Sequence, residues 1–203
     1  MKIAVIGASG NAGSRITAEL ARRGHAVTAI ARNPEKIAAQ ANVTAARGDV
    51  MDQAGLARLI AGHDAAISSV HFLASDPAKL IGAARDSKVG RYLVVGGAGS
   101  LEVAPGVRLV TTPGFPVAYK AEAEKGAAFL ELLRREMELN WTFLSPSALF
   151  TAGERTGKFR LGADQLLTAV DGKSWVSFED FAVALADEIE RPAHIRKRFT
   201  VGY

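Results

Sequence analysis

Cysteine is absent from the 203 residues. Disulfides, thiolate catalysis and cysteine-ligated zinc or iron–sulfur centres are therefore excluded, and no metal site is expected. Long apolar runs are missing as well. The N-terminus carries one lysine and only four consecutive apolar residues before Gly7, which is too short for a secretory leader. No stretch approaches the roughly 18 apolar residues that span a bilayer. A cytoplasmic protein with no membrane association is expected. The net charge is only +4. The run Arg196-Lys197-Arg198 reads as a solvated terminal segment, because nucleic-acid binding needs a broader basic face. With 48% hydrophobic content, the length suits one globular domain with a full core.

What is present begins at the first residues. Ile3-Ala4-Val5-Ile6 is an apolar run that stops at Gly7, and Gly10 and Gly13 follow at three-residue spacing. A helical pattern starts at about Asn11. Strand, glycine turn and helix N-terminus in succession make a dinucleotide pyrophosphate site. Gly7 turns the chain, Gly10 leaves room for the anion, and Gly13 lets the helix pack close to the sheet. The amides around Ser9, Asn11 and Ala12, with the helix dipole, complete the cradle. The spacing is GxxGxxG rather than the more usual GxGxxG. The alternative is an ordinary turn with incidental glycines.

Strand and helix signals then alternate. Residues 2–6, 26–31, 43–46, 65–68, 92–95 and 141–145 read as strands. Helices are expected at 11–23, a short one opened by Asn33-Pro34, then 53–61, 77–87 and 119–138. Near-continuous apolar strands such as IAVI and YLVV fit a sheet buried on both faces. The expected architecture is α/β, a Rossmann-type doubly wound parallel sheet with strand order 3-2-1-4-5-6. Residues 1–203 are expected to form one domain. In it, 146–203 is the less regular part, covering the cleft at the strand ends. Within that part, Lys158–Leu161 and Leu166–Val170 suggest a hairpin. Ser177 caps a helix over 178–190, with Asp180 in a capping-box-like position. Phe199–Val201 suggests a last strand.

The end of the second strand sharpens the cofactor. The acid that holds both ribose hydroxyls in NAD-specific sites is missing there, and Arg32-Asn33 stands in its place. A guanidinium at that point pairs with a 2′-phosphate, which favours NADPH over NADH; Arg15 and Lys36 are secondary candidates. A solvent-exposed arginine at a helix start is the alternative. Asp49 and the amide of Val50 suit adenine, although a turn aspartate is an equal reading. Ser68, Ser69, Val70 and His71 end the fourth strand and belong near the pyrophosphate and nicotinamide ribose. His71 is equally a half-buried loop residue. Gly96, Gly97 and Pro146 fall at the ends of the next two strands.

The turn Gly7–Gly13, Arg32-Asn33-Pro34, Gly48-Asp49-Val50 and Arg91–Gly99 recur in order. With them the chain resembles the atypical short-chain dehydrogenase/reductases, and more narrowly the NAD(P)H-binding NADH-flavin reductase-like proteins. That group lies near biliverdin reductase B/flavin reductase and NmrA-like proteins. The resemblance extends over nearly the whole chain, to the ending Arg198–Tyr203. It implies an NAD(P)H-dependent oxidoreductase with a small-molecule acceptor; either a monomer or a homodimer is expected. The Tyr-x-x-x-Lys pair of standard members is absent: Tyr119 is followed four residues later by Ala123, and Lys120 and Lys125 have the wrong spacing. The customary serine is also displaced, with Ser100 one step late. Tyr119 and Ser100 remain as donors to substrate. Flavin reduction needs no such pair, so flavin is a candidate substrate. One or two of Phe72, Phe115, Phe150 and Trp175 would wall the slot for it, plain core packing being the usual reading for a single aromatic. Open alternatives are an NADP(H)-sensing regulator without turnover and a reductase of a quinone or tetrapyrrole.

Overall fold

The computed structural model describes residues 1–203. Seven strands run parallel: β1 (Lys2–Ile6), β2 (Ala26–Ala31), β3 (Val43–Arg47), β4 (Ala65–Ser68), β5 (Arg91–Val95), β8 (Trp141–Pro146) and β12 (Lys197–Gly202). β10 (Arg160–Gly162) adds antiparallel to β12 at one edge, giving the order β10-β12-β8-β5-β4-β1-β2-β3. The six strands expected from sequence thus lie in their expected order, and two more extend the sheet. Two small ribbons stand apart: β6 (Glu102–Ala104) with β7 (Val107–Arg108), and β9 (Leu149–Thr151) with β11 (Trp175–Ser177).

Helices cover both faces. On one face α1 (Asn11–Arg22) and α5 (Phe178–Glu190) pack over Ile3, Val5, Leu93, Leu144 and Val201. On the other, α2 (Gln53–Ile60), α3 (Pro77–Asp86) and α4 (Val117–Arg134) cover Ala4, Ile6, Tyr92, Val94 and Phe143. Alternate strand residues serve the two cores, which is why the central strands read as unbroken apolar runs. Asp76 caps α3, accepting from the Ala78 amide, with Pro77 in the first turn.

Several local expectations need correction. Asn33 caps nothing with its side chain, and Pro34–Lys36 is a single 3-10 turn. Residues 166–170 form no strand: Arg160–Gly162 pairs with Thr200–Gly202, and the Leu166 amide donates to the Glu102 carbonyl instead. α4 starts at Val117 and ends at Arg134, earlier at both ends than the apolar pattern suggests. Asp180 does not reach back to its own cap residue. It accepts instead from the Thr156 hydroxyl (2.5 Å), the Gly157 amide (2.8 Å) and the Tyr203 hydroxyl (2.8 Å). Arg198 is not a solvated terminal charge. It is buried beside Asp164, which accepts from its Nε at 2.8 Å, and it donates to Ser100 Oγ at 3.0 Å.

Candidate cofactor site

The parallel strands bring their C-terminal ends to one edge of the sheet, and a crevice there is the usual ligand position in such folds. Gly7, Arg32, Gly48, Ser69, Gly96 and Ser147 each follow directly on a strand end. The glycine turn is tightly built. Gly7 has φ +82°, and a Cβ there would stand 2.1 Å from the Ser69 carbonyl oxygen. Its amide and that of Ala8 donate to the Ile30 carbonyl at 2.9 and 3.1 Å, tying the turn to the end of β2. A Cβ on Gly13 would meet the Gly7 carbonyl oxygen at 2.2 Å. Gly10 differs: nothing lies closer than 3.3 Å to its would-be Cβ, and it opens α1 without a side-chain cap. The first helical bond of α1 is donated by Ser14 to the Gly10 carbonyl. The amides of Ser9, Asn11, Ala12 and Gly13 have no protein acceptor, so four donors converge at the positive end of a helix.

Around this turn the predicted residues divide. Arg32 and Asn33 are exposed just beyond β2, and Arg32 has no carboxylate or carbonyl partner. Asp49 spends one oxygen on the Met51 amide (2.9 Å) in a tight turn, while the Val50 amide beside it has no acceptor. The Ser68 hydroxyl faces inward and accepts from Tyr92 (2.9 Å), so only its backbone lies at the strand end. Ser69 and Val70 pack against Gly7. The His71 imidazole is open to solvent, with Nδ1 3.4 Å from Glu122 on α4. Gly96 is filled from behind by the Phe143 ring, whereas Gly97 has only Phe72 near its would-be Cβ, at 3.6 Å. Pro146 is buried at the end of β8, and Ser147 turns its hydroxyl to the Val201 carbonyl (3.1 Å).

The two donors to substrate are not brought together. Tyr119 is 67% exposed in the first turn of α4, while Ser100 is buried and accepts from Arg198. Ala123 packs its methyl against Gly99. Among the aromatic candidates, Phe150 packs against the core, edge-on to Phe178 and tilted to Phe181, with centroids 4.5 and 4.7 Å away. Phe72 meets Phe129 edge-on at 6.0 Å, and Trp175 meets Tyr203 at 4.4 Å. Arg15 is occupied, donating to Glu179 on α5 at 3.1 Å.

Two residues were not singled out from the sequence. Arg47 ends β3 in register with Ala31, is exposed and has no partner, so a second unpartnered guanidinium belongs to the strand end next to that of Arg32. A basic residue just before the Gly48-Asp49 turn was the available signal. Glu122 accepts from the amides of Phe72 (2.7 Å) and Leu73 (2.9 Å), fifty residues away in the chain, and no local pattern announces that.

The sheet edge, the glycine turn and the four free amides define a nucleotide-binding protein of the doubly wound class. The chain belongs to the NAD(P)H-binding family, whose model matches residues 7–192. It is 41% identical to the Bacillus subtilis protein YwnB over 99% of this chain and 98% of that one. A Streptococcus pneumoniae structure called "a putative NADH-flavin reductase" is 38% identical, covers 100% and 99% of the two chains, and superposes with a TM-score of 0.86. A Bacteroides thetaiotaomicron structure called a "putative epimerase" is also 38% identical, over 100% and 96%, with a TM-score of 0.95. No helix is long and apolar enough to cross a membrane.

Proposed function

We propose that this protein is a reductase that passes hydride from NADPH to a flavin or a similar conjugated acceptor. The observation that carries the reading is on α4. Where a proton-relay lysine would follow Tyr119, the Ala123 methyl is packed against Gly99, and Lys120 and Lys125 are exposed without ion pairs. Chemistry that needs a tyrosine with a lowered pKa has no support here. Reduction of a conjugated ring system does not need it, because the ring takes up the charge and water supplies the proton. The name of the pneumococcal relative supports this acceptor class, and the pair missing from this chain argues against carrying the epimerase name of the other relative over to it.

The residues present fit the cofactor. The free amides of Ser9, Asn11, Ala12 and Gly13 suit a pyrophosphate, and the space at Gly10 admits it. Arg32 would hold the 2′-phosphate, and the Asp49-Val50 turn the adenine edge. The loop after β4, residues 69–71, would border the nicotinamide ribose. When bound, NADPH supplies the hydride. The chain's part is to align two flat rings and keep water out, and alignment accounts for much of the rate in such reactions. Phe72 and the open face of Gly97 are suited to one wall, with residues 149–177 covering the crevice from the other side.

The test is loss of NADPH and NADH absorbance under anaerobic conditions, with and without FMN. Flavin-dependent loss, faster with NADPH, is expected. Tight binding without turnover for any of FMN, a quinone or a tetrapyrrole would overturn the reductase reading in favour of an NADP(H) sensor.

A further inference from the structure

Glu122 has a position that general helix chemistry does not require. It lies on α4, one turn after Tyr119, with its side chain 28% exposed. The carboxylate does not serve α4. It reaches across to the loop that follows β4 and takes the amides of Phe72 and Leu73, one on each oxygen, at 2.7 and 2.9 Å. These are charge-assisted bonds to backbone, of the strong kind. They tie to α4 a loop whose other restraints are local: one 3-10 turn without a side-chain cap at its start, and the Ser75 hydroxyl donating to the His71 carbonyl at 2.9 Å.

The consequence falls on Phe72. Its ring is received by two glycines: a Cβ on Gly126 would stand 2.6 Å from Phe72 Cε2, and one on Gly97 3.6 Å from it. Phe129 supports the ring edge-on from below. Gly97 and His71 lie at the C-terminal ends of β5 and β4, so the ring is placed at the candidate crevice, with its backbone fixed by one carboxylate.

We propose that Glu122 is a positioning residue of the candidate site: it fixes the loop after β4 so that Phe72 walls the slot in which nicotinamide and acceptor meet. The inference rests on the reductase reading. Glu122 itself touches neither partner. Its removal frees two amides, lets the loop drift and misaligns the rings. Misplacement of about 1 Å costs on the order of a hundredfold in rate in such sites.

The experiment compares Glu122→Ala, Glu122→Gln and the control Glu124→Ala, whose carboxylate is exposed on the same helix without a partner. NADPH affinity is measured by fluorescence titration, and kcat and KM with FMN as acceptor. Glu122→Ala is expected to lower kcat at least tenfold while NADPH affinity changes less than threefold, because the phosphate contacts lie elsewhere. Glu122→Gln, which keeps one acceptor oxygen, should recover part of kcat, and Glu124→Ala should match wild type. A folded Glu122→Ala with wild-type kcat and KM overturns the proposal, and so does a loss confined to NADPH affinity.

Two amide measurements separate this inference from the reading beneath it. If wild type reduces no acceptor, the reductase reading fails by itself. The positioning role is then decided by the backbone amide signals of Phe72 and Leu73 on adding NADP⁺. A response present in wild type and lost in Glu122→Ala supports the role, and the same response in both removes it. If the variants do not fold, hydrogen exchange of wild type decides: both amides must be protected although the loop is at the surface, and fast exchange refutes the clamp.

Discussion

Arg32 and Arg47 have no protein partner and stand at strand ends, whereas Arg58 and Arg135, also unpartnered, lie on α2 and just after α4. Arg15, Arg23, Arg85, Arg91, Arg155 and Arg198 are all committed to carboxylates. The two at the tips of β2 and β3 have no acceptor and stand at adjacent strand ends. A free guanidinium gains most from a phosphate, because no existing ion pair must be broken. Arg32→Asp should weaken NADPH about ten- to a hundredfold, the loss of ~1.5–3 kcal/mol of charged hydrogen bonding, and change NADH less than threefold. Arg47→Ala should give a smaller loss with the same selectivity. Fluorescence titration with both cofactors measures this, and equal losses for the two would take the 2′-phosphate away from these arginines. Arg32 was legible in the sequence because a missing acid at a fixed place draws attention. Arg47 was not, since a lone arginine at a strand end looks like any exposed cation until the register with Ala31 is known.

At the scale of elements, legibility followed the range of the forces. The strands IAVI and YLVV and the helix over 178–190 declare themselves through local apolar pattern and caps, and they stand where the sequence puts them. The pairing of β10, a strand the sequence does place near 158–161, and the burial of Arg198 do not, because their partners, Thr200–Gly202 and Asp164, are decided by how distant segments meet. The segment 152–158 is another such case. It has no regular structure and is exposed, yet carboxylates from two helices hold it: Glu19 on α1 accepts from Arg155 at 2.8 and 2.9 Å, and Asp180 and Glu179 on α5 accept from Gly157 and Gly153.

Glu19 gives this tie a pH signature. Burial works against its charge, but hydrogen bonds from Arg155, Arg22 and Arg23 outweigh that, and its carboxyl is held far below the usual carboxylate range. In the unfolded chain it takes a proton near its ordinary value of 4.5. The unfolded state therefore binds more protons in acid. The stabilisation is complete above that value and is lost progressively as the pH falls below it. Glu19→Gln should be less stable than wild type at neutral pH, and the difference in Tm should shrink as the solution is acidified. A difference that stays constant down to pH ~2.5, well below the ordinary glutamate range, would show that the ion pairs are not its source.

On the scale of the whole molecule, the sheet separates two cores that share strands but few side chains. One lies under α1 and α5 and the other under α2, α3 and α4. Everything assigned to cofactor binding sits where the strands between them end. The far end of the sheet is closed differently, by Arg91 of β5 donating to Glu188 of α5 through both its carbonyl and its carboxylate. Rigidity at that end and loops at the other is the arrangement that lets a binding edge vary while the scaffold stays fixed.

The chain has two tryptophans, and they fall on opposite sides of this division. Trp141 is 3% exposed in the core under α4, while Trp175 is half-buried against Tyr203 within the segment proposed to cover the crevice. The molecule therefore carries two natural optical reporters, one for the scaffold and one for the cover. In Trp141→Phe, emission from Trp175 should change when NADP⁺ is added; in Trp175→Phe, emission from Trp141 should not. A silent Trp175 would mean that residues 149–177 do not respond to the nucleotide, and the crevice would have to be closed by the loop after β4 alone.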